Sequence, residues 1–150
     1  MQYVEYGAHK LQTIILLHGG GLSWWNYREV AQILVDKYHV VLPVLDGHAN
    51  SDAPFTSIED NAARLIAYID EYHGGSVYAL GGLSLGGQIA VEMLTQRSDI
   101  CRFARKCFGQ TVKVDPCANQ TNLWDELWPN QAEMVCQIAG SLSGNPPDVV

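Results

Sequence analysis

Basic residues are scarce in this chain. Nine Lys and Arg stand against 16 Asp and Glu, giving a formal net charge of −7 over 150 residues. Nucleic acids and anionic membrane surfaces are bound through clustered Lys and Arg, so neither is expected as a partner. No apolar run reaches the roughly 18 residues that a membrane-crossing helix requires, although 47% of the sequence is hydrophobic. The opening M-Q-Y-V-E-Y-G-A-H-K lacks the basic-then-apolar layout of a secretory signal. A cytoplasmic address is the expectation. The four cysteines, Cys101, Cys107, Cys117 and Cys136, contain no C-x-x-C and have no accompanying histidine, so no metal site is expected. Without a secretory signal, free thiols are expected in place of disulfides. A phosphate-binding loop is missing too. Gly81 to Gly86 has the span of one, but Gly87 and Gln88 stand where Lys and Ser/Thr are required, and that stretch holds no G-x-G-x-x-G. No cofactor is expected.

The most informative stretch is S-V-Y-A-L-G-G-L-S-L-G-G, residues 76–87. It reads as a short apolar run, a tight glycine-flanked turn carrying Ser84, and the start of a helix near Gly86. Gly82-Leu83-Ser84-Leu85-Gly86 fits G-x-S-x-G, which sets a serine on a strained strand-to-helix turn with its hydroxyl exposed. Glycine is needed two positions either side because the turn is too tight for a Cβ. The following helix directs free N–H groups and its positive dipole end toward the same place, favouring a developing oxyanion.

The rest of the first hundred residues alternates strand and helix. Residues 1–7 carry a weak edge-strand pattern. Residues 12–17 include I-I-L-L, a continuous apolar run expected of a strand buried on both faces. It stops at His18-Gly19-Gly20-Gly21, and Tyr27, Val30, Ala31 and Leu34 then predict a helix over 23–38 capped by Ser23. Residues 39–45 form a second apolar run, paired over 40–42, with Pro43 where the strand leaves the sheet. Asp46-Gly47-His48 follows. Ser57-Ile58-Glu59-Asp60 predicts a capped helix with Ala62, Leu65, Ile66 and Ile69 inward, stopped at Gly74-Gly75. A strand over 76–80, the turn at Ser84 and a helix over 86–96 complete the pattern. Such alternation with short connections demands parallel strands with right-handed crossovers. The fold class is therefore α/β, a mostly parallel sheet with helices on both faces. Its three glycine-bearing loops converge on the carboxyl edge, where open parallel sheets bind ligands.

With H-G-G-G-L-S-W-W-N-Y, D-G-H-A-N-S-D and G-L-S-L-G-G in this order, the chain resembles an α/β-hydrolase over residues 11–97. The resemblance implies a serine hydrolase acting on carboxylic esters or related acyl compounds. Ser84 would be the nucleophile, with oxyanion-hole N–H groups from Leu85 and from Gly20 or its neighbour Gly21. It implies that His18 orders its loop without taking protons, and that Asp46, Gly47 and His48 form a structural turn. Trp24 and Trp25 stand near the implied pocket, as a wall for an acyl or aryl group or as packing. The implied partner is a small acyl substrate or ligand.

The family order is serine, then acid, then histidine, yet His9, His18, His39, His48 and His73 all precede Ser84. Asp115, in T-V-K-V-D-P, could follow a further strand and serve as the acid. A weak or inactive hydrolase is therefore expected of these 150 residues. A non-catalytic binding protein, or a truncated or frameshifted relic, is the alternative. Two parts are expected: the front half of the hydrolase core over 1–100, and an atypical, partly disordered tail over 101–150. In that tail Leu123 with Leu127, and Met134 with Ile138, suit two short helices.

Overall fold

The computed structural model describes residues 1–107. Expectations for Asp115, Cys117, Cys136, the two tail helices and the ending at Asn145-Pro146-Pro147 lie outside the described residues. Among those described, no helix is long and apolar enough to cross a membrane.

Strand β2 (Thr13–Leu17) is buried along its whole length, and so is β3 (His39–Val44). A strand with neighbours on both sides and helices on both faces has no side chain to spare for water. The two run parallel, from Thr13 opposite His39 to Ile15 opposite Val41. On the other side of β2, β4 (Val77–Leu83) pairs in parallel, and β5 (Cys101–Cys107) pairs in parallel with β4. β1 (Gln2–Tyr6) closes the far side antiparallel to β3, giving the order β1-β3-β2-β4-β5.

Successive side chains of a strand point to opposite faces. Ile15 and Leu17 join one core cluster with Leu65 and Ile69 of α2 (Ile58–Tyr72) and Ile89 and Met93 of α3 (Leu85–Gln96). Ile14 and Leu16, equally buried, face the other way, toward the side where α1 (Arg28–Leu34) lies against β3. Each fully buried Ile or Leu contributes about 1.5–3 kcal/mol relative to exposure.

The structure departs from the sequence pattern in four places. The helix expected over 23–38 is a 3-10 turn, Trp24–Tyr27, followed by α1. Aromatic side chains lose χ1 freedom against a preceding helical turn, and W-W-N-Y takes the shorter-range form. Ser23 is extended and makes no capping bond, and its hydroxyl is buried without a hydrogen-bond partner among the described residues. Pro43 is inside β3, opposite Tyr3 of β1. Pairing with β2 ends at Val41, so Pro43 lies where β3 has one neighbour instead of two and no central ladder needs its missing N–H. β4 continues through Gly81 and Gly82, which pair with Leu16 and Leu17. Lastly, β5 begins just past residue 100, with Phe103 buried and Arg102 exposed in the alternation of a strand.

Helix α2 begins as the sequence predicts. The Ser57 hydroxyl accepts the Asp60 N–H at 3.0 Å. At the other end the N–H groups of His73 and Gly75 both return to the Ile69 carbonyl, with Gly74 and Gly75 at positive φ. Replacing Ser57 with Ala is expected to lower stability by about 1 kcal/mol in urea denaturation. An unchanged midpoint would show that the cap carries no weight.

Candidate functional site

The loops after β2, β3 and β4 share the carboxyl edge of the sheet. In the first, His18 is fully buried and both ring nitrogens are engaged. Nε2 accepts the Leu45 N–H at 3.1 Å, so Nδ1 carries the proton and donates to the Gly19 carbonyl at 2.9 Å. Burial lowers its pKa to about 4, with the nearby His48 acting in the same direction and the Gly19 bond opposing both. This imidazole stays neutral and orders the loop that ties β2 to β3.

The second loop is built around Asp46, whose carboxylate is buried. Arg64 Nη1 lies 3.2 Å from Oδ2, and the Met1 amino group lies 3.4 Å from Oδ1. The Ser51 hydroxyl donates to Oδ1 at 3.3 Å. The Asp46 N–H donates to Oδ1 of buried Asn61 on α2, whose amide in turn donates to the Ser57 carbonyl. Gly47 has φ +75, and a Cβ there would stand 2.6 Å from that of Phe55. His48 donates from Nδ1 to the Asp46 carbonyl at 3.0 Å, and its ring packs between those of His18 and Phe55. Of these supports, Asn61, Arg64 and Ser51 were not singled out by sequence. Asn61 left the one usable sign, a polar residue beside Ala62 on the inward face.

The third loop is the turn at Ser84. Ser84 has φ 48 and ψ −110, a left-handed setting for a residue with a Cβ, and such a conformation costs about 1–3 kcal/mol. The surrounding backbone holds it there. A Cβ on Gly82 would lie 2.3 Å from the Gly86 carbonyl oxygen, and a Cβ on Gly86 would lie 2.2 Å from that of Leu17. Ser84 is exposed and its side chain makes no capping bond, so neither the hydroxyl nor the first N–H groups of α3 are consumed by each other.

Two of the sequence-selected residues meet here. A Cβ on Gly20 would be 3.8 Å from Leu85 Cδ2, and one on Gly19 would be 3.5 Å from the Leu83 side chain. The glycine loop therefore lies across both neighbours of Ser84. Gly21, at φ +75, borders open space. Trp24 is half-buried and Trp25 is 47% exposed on the 3-10 turn that follows. Asp115 lies outside the described residues. Among those described, no cluster of three His, Cys, Asp or Glu is placed to hold a metal ion.

A mostly parallel sheet with an exposed serine on a strained strand-to-helix turn, crossed by a glycine loop, is the structural context that G-x-S-x-G calls for. The comparisons agree. The model described as the Alpha/beta hydrolase family matches residues 14–146, running past the last of the three motifs. The chain belongs to the α/β-hydrolase family. It is 33% identical over 87 residues to an AB hydrolase superfamily protein of Gibberella zeae, covering 57% of this chain and 31% of that protein. It is 30% identical over 101 residues to the uncharacterized hydrolase YugF of Bacillus subtilis, covering 65% of this chain and 37% of that one. The chain thus spans about a third of the length of these curated relatives. Among solved structures, a thermophilic esterase of Thermogutta terrifontis superposes with a TM-score of 0.65 at 23% identity, over 71% of this chain and 39% of that one. An α/β-hydrolase family protein of Desulfitobacterium hafniense gives 0.62 at 26%, over 75% and 47%.

Two outcomes are expected from this geometry. Gly86→Ala should cost about 3 kcal/mol in urea denaturation, the upper end for overpacking, because the obstruction is backbone. Gly20→Ala, with nothing nearer than 3.8 Å, should change stability by less than about 1 kcal/mol. Equal losses would contradict the packing described. Separately, the His18 ring should titrate near pH 4 by NMR. Its folded pKa of about 4 lies below the ordinary 6.5, so the folded state binds fewer protons than the unfolded chain. The stability tied to it is complete above pH 6.5 and declines by about 3 kcal/mol as pH falls to 4. Titration near 6.5 would refute the assignment.

Proposed function

We propose that this chain is a serine hydrolase for carboxylic esters or related acyl compounds, with Ser84 as nucleophile. The observation that carries this reading is the exposed serine at φ 48, locked between two glycines that no side chain can replace. Attack by the hydroxyl on an acyl carbonyl pushes charge onto its oxygen. The N–H groups of Leu85 and Gly20 would receive that oxyanion, each donor contributing roughly 2.7–4 kcal/mol to the transition state. Gly21, Trp24 and Trp25 would border the acyl or aryl group. The resemblance to a structurally determined esterase supports this chemistry at the level of fold.

A serine hydroxyl also needs a base. His18 is spent on Leu45 and Gly19, His48 is held through Nδ1 by the Asp46 carbonyl, and His39 and His73 bond to Thr13 at the amino end of β2. No histidine follows His73 in the 150 residues, and Asp115 as acid would still require an imidazole to orient. The isolated chain is therefore read as a slow catalyst. An oxyanion hole and binding alone sustain about 10³–10⁴-fold acceleration over water. The same commitment of the histidines favours a second reading, a non-catalytic binder of acyl ligands.

A fluorophosphonate probe should label the wild-type chain and spare Ser84→Ala, with slow hydrolysis of p-nitrophenyl acetate lost in the same variant. Labelling without turnover would favour the binder. Equal labelling of both proteins would reject Ser84 as nucleophile.

A further inference from the structure

At the opposite edge of the sheet, where the parallel strands begin, five polar side chains from four elements form one hydrogen-bonded chain. Tyr68 of α2 donates to Glu5 Oε1 of β1 at 3.0 Å, and His39 Nε2 of β3 lies 2.8 Å from Glu5 Oε2. His39 Nδ1 lies 3.3 Å from the hydroxyl of Thr13 on β2, and the same hydroxyl lies 3.4 Å from Nδ1 of His73, which ends α2. Thr13, His39 and Tyr68 are buried, and His73 Nε2 is buried without a hydrogen-bond partner among the described residues. The candidate active site lies at the other end of these strands and makes no use of the chain.

Proton counting fixes its direction. The carboxylate of Glu5 only accepts, so Tyr68 and His39 Nε2 both donate to it. A neutral His39 then accepts at Nδ1 from the Thr13 hydroxyl, which leaves the Thr13 oxygen to accept from His73 Nδ1–H. In that state every donor has an acceptor, and one lone pair on His73 Nε2 is left over. Add a proton to His73 and Nε2–H becomes a buried donor with nothing to bond. If the proton goes to His39 instead, its Nδ1 becomes a donor. Thr13 then either accepts from both rings, which orphans its own O–H, or turns its hydroxyl to His73 Nδ1 and moves the His73 proton to the orphan Nε2. One donor is left unpaired either way. A buried donor left unpaired costs about 1–3 kcal/mol, and more if it is charged.

We propose that this chain is a proton-sensitive latch. At neutral pH it fastens the end of α2 to β1, β2 and β3, and one proton taken up at His73 frees the His73 and Gly75 amides from the Ile69 carbonyl that closes α2. The groups facing His73 are His39 from β3, Thr13 from β2, Glu5 from β1, and Tyr68 on its own helix, whose ring meets that of Tyr72. Burial first, and then the neighbouring His39, depress the His73 pKa, while Glu5 opposes them. Tyr68 stays protonated because burial and its bond to Glu5 raise its pKa. Past His73, Gly74 and Gly75 occupy positive φ, and Arg97 of the α3 end holds Asp70 and the Gly75 carbonyl. Release would stop at that second fastening and leave the body of α2 in place.

Because the folded form disfavours the added proton, stability tied to the latch is full above the ordinary histidine pKa of 6.5. It is lost as pH falls through the depressed value.

Amide hydrogen exchange on the full 150-residue chain at pH 7 and pH 5, corrected for intrinsic rates, tests the latch. Protection at the His73 and Gly75 amides should be lower at pH 5 than at pH 7, while the Gln88 amide, bonded to the Ser84 carbonyl, stays equally protected. In His73→Phe the pH dependence should vanish. Thr13→Val, which removes the hydroxyl between the rings, should leave those amides unprotected at both pH values and move the His73 titration toward 6.5. Unchanged wild-type protection from pH 7 to 5, or a pH-dependent loss that persists in either variant, would overturn the proposal.

Discussion

The carboxyl edge of this sheet depends on one close approach of backbone to backbone. The first turn of α3 is pressed against the end of β2 so tightly that a single carbon on Gly86 would collide with the Leu17 carbonyl oxygen. Gly82 meets α3 from the other side with no more room. Between them Ser84 has one conformation available, left-handed and exposed. The cost of that conformation is met by the surrounding parallel strands, whose buried Ile and Leu side chains fix where the two backbones must pass. The strained setting of Ser84 is thus a property of the fold, held in place by backbone packing.

The neighbouring loops serve the same constraint. His18 joins Gly19 to Leu45 and so fixes the loops after β2 and β3 relative to each other. Gly19 and Gly20 then rest against Leu83 and Leu85, one residue on either side of the serine. Asp46 anchors the second loop through Arg64, Ser51 and its own N–H to Asn61. His18 and Asp46, on the loops that share an edge with Ser84, are of the residue types a triad uses. Here both are buried structural groups, and the burial that makes them good anchors removes them from proton transfer.

Backbone requirements were the part of this protein most legible in the sequence. G-x-S-x-G names a turn because only glycine clears the carbonyls around it, and I-I-L-L names a strand covered on both faces. The Ser57 cap and the Gly74-Gly75 stop were equally visible, since each satisfies backbone groups within a few residues. What the pattern missed depends on neighbours distant in the chain. Pro43 was expected at the strand's exit and instead lies within β3, because β2 stops pairing before reaching it. Trp24–Tyr27 takes a 3-10 turn where the apolar spacing predicted α-helix. The Glu5, Thr13, His39, His73 chain has no sequence signature at all, because its members are brought together only by strand register and by the end of α2.

The central claim is that the backbone around Ser84 alone prepares it for acyl chemistry. A crystal structure of the chain after reaction with a small phosphonate tests this most directly. The account predicts phosphorus bonded to Ser84 Oγ, Ser84 still at positive φ, and the phosphoryl oxygen within hydrogen-bonding distance of the Leu85 and Gly20 N–H groups. A phosphoryl oxygen turned to solvent with both amides unengaged, or a serine relaxed to negative φ, would contradict it.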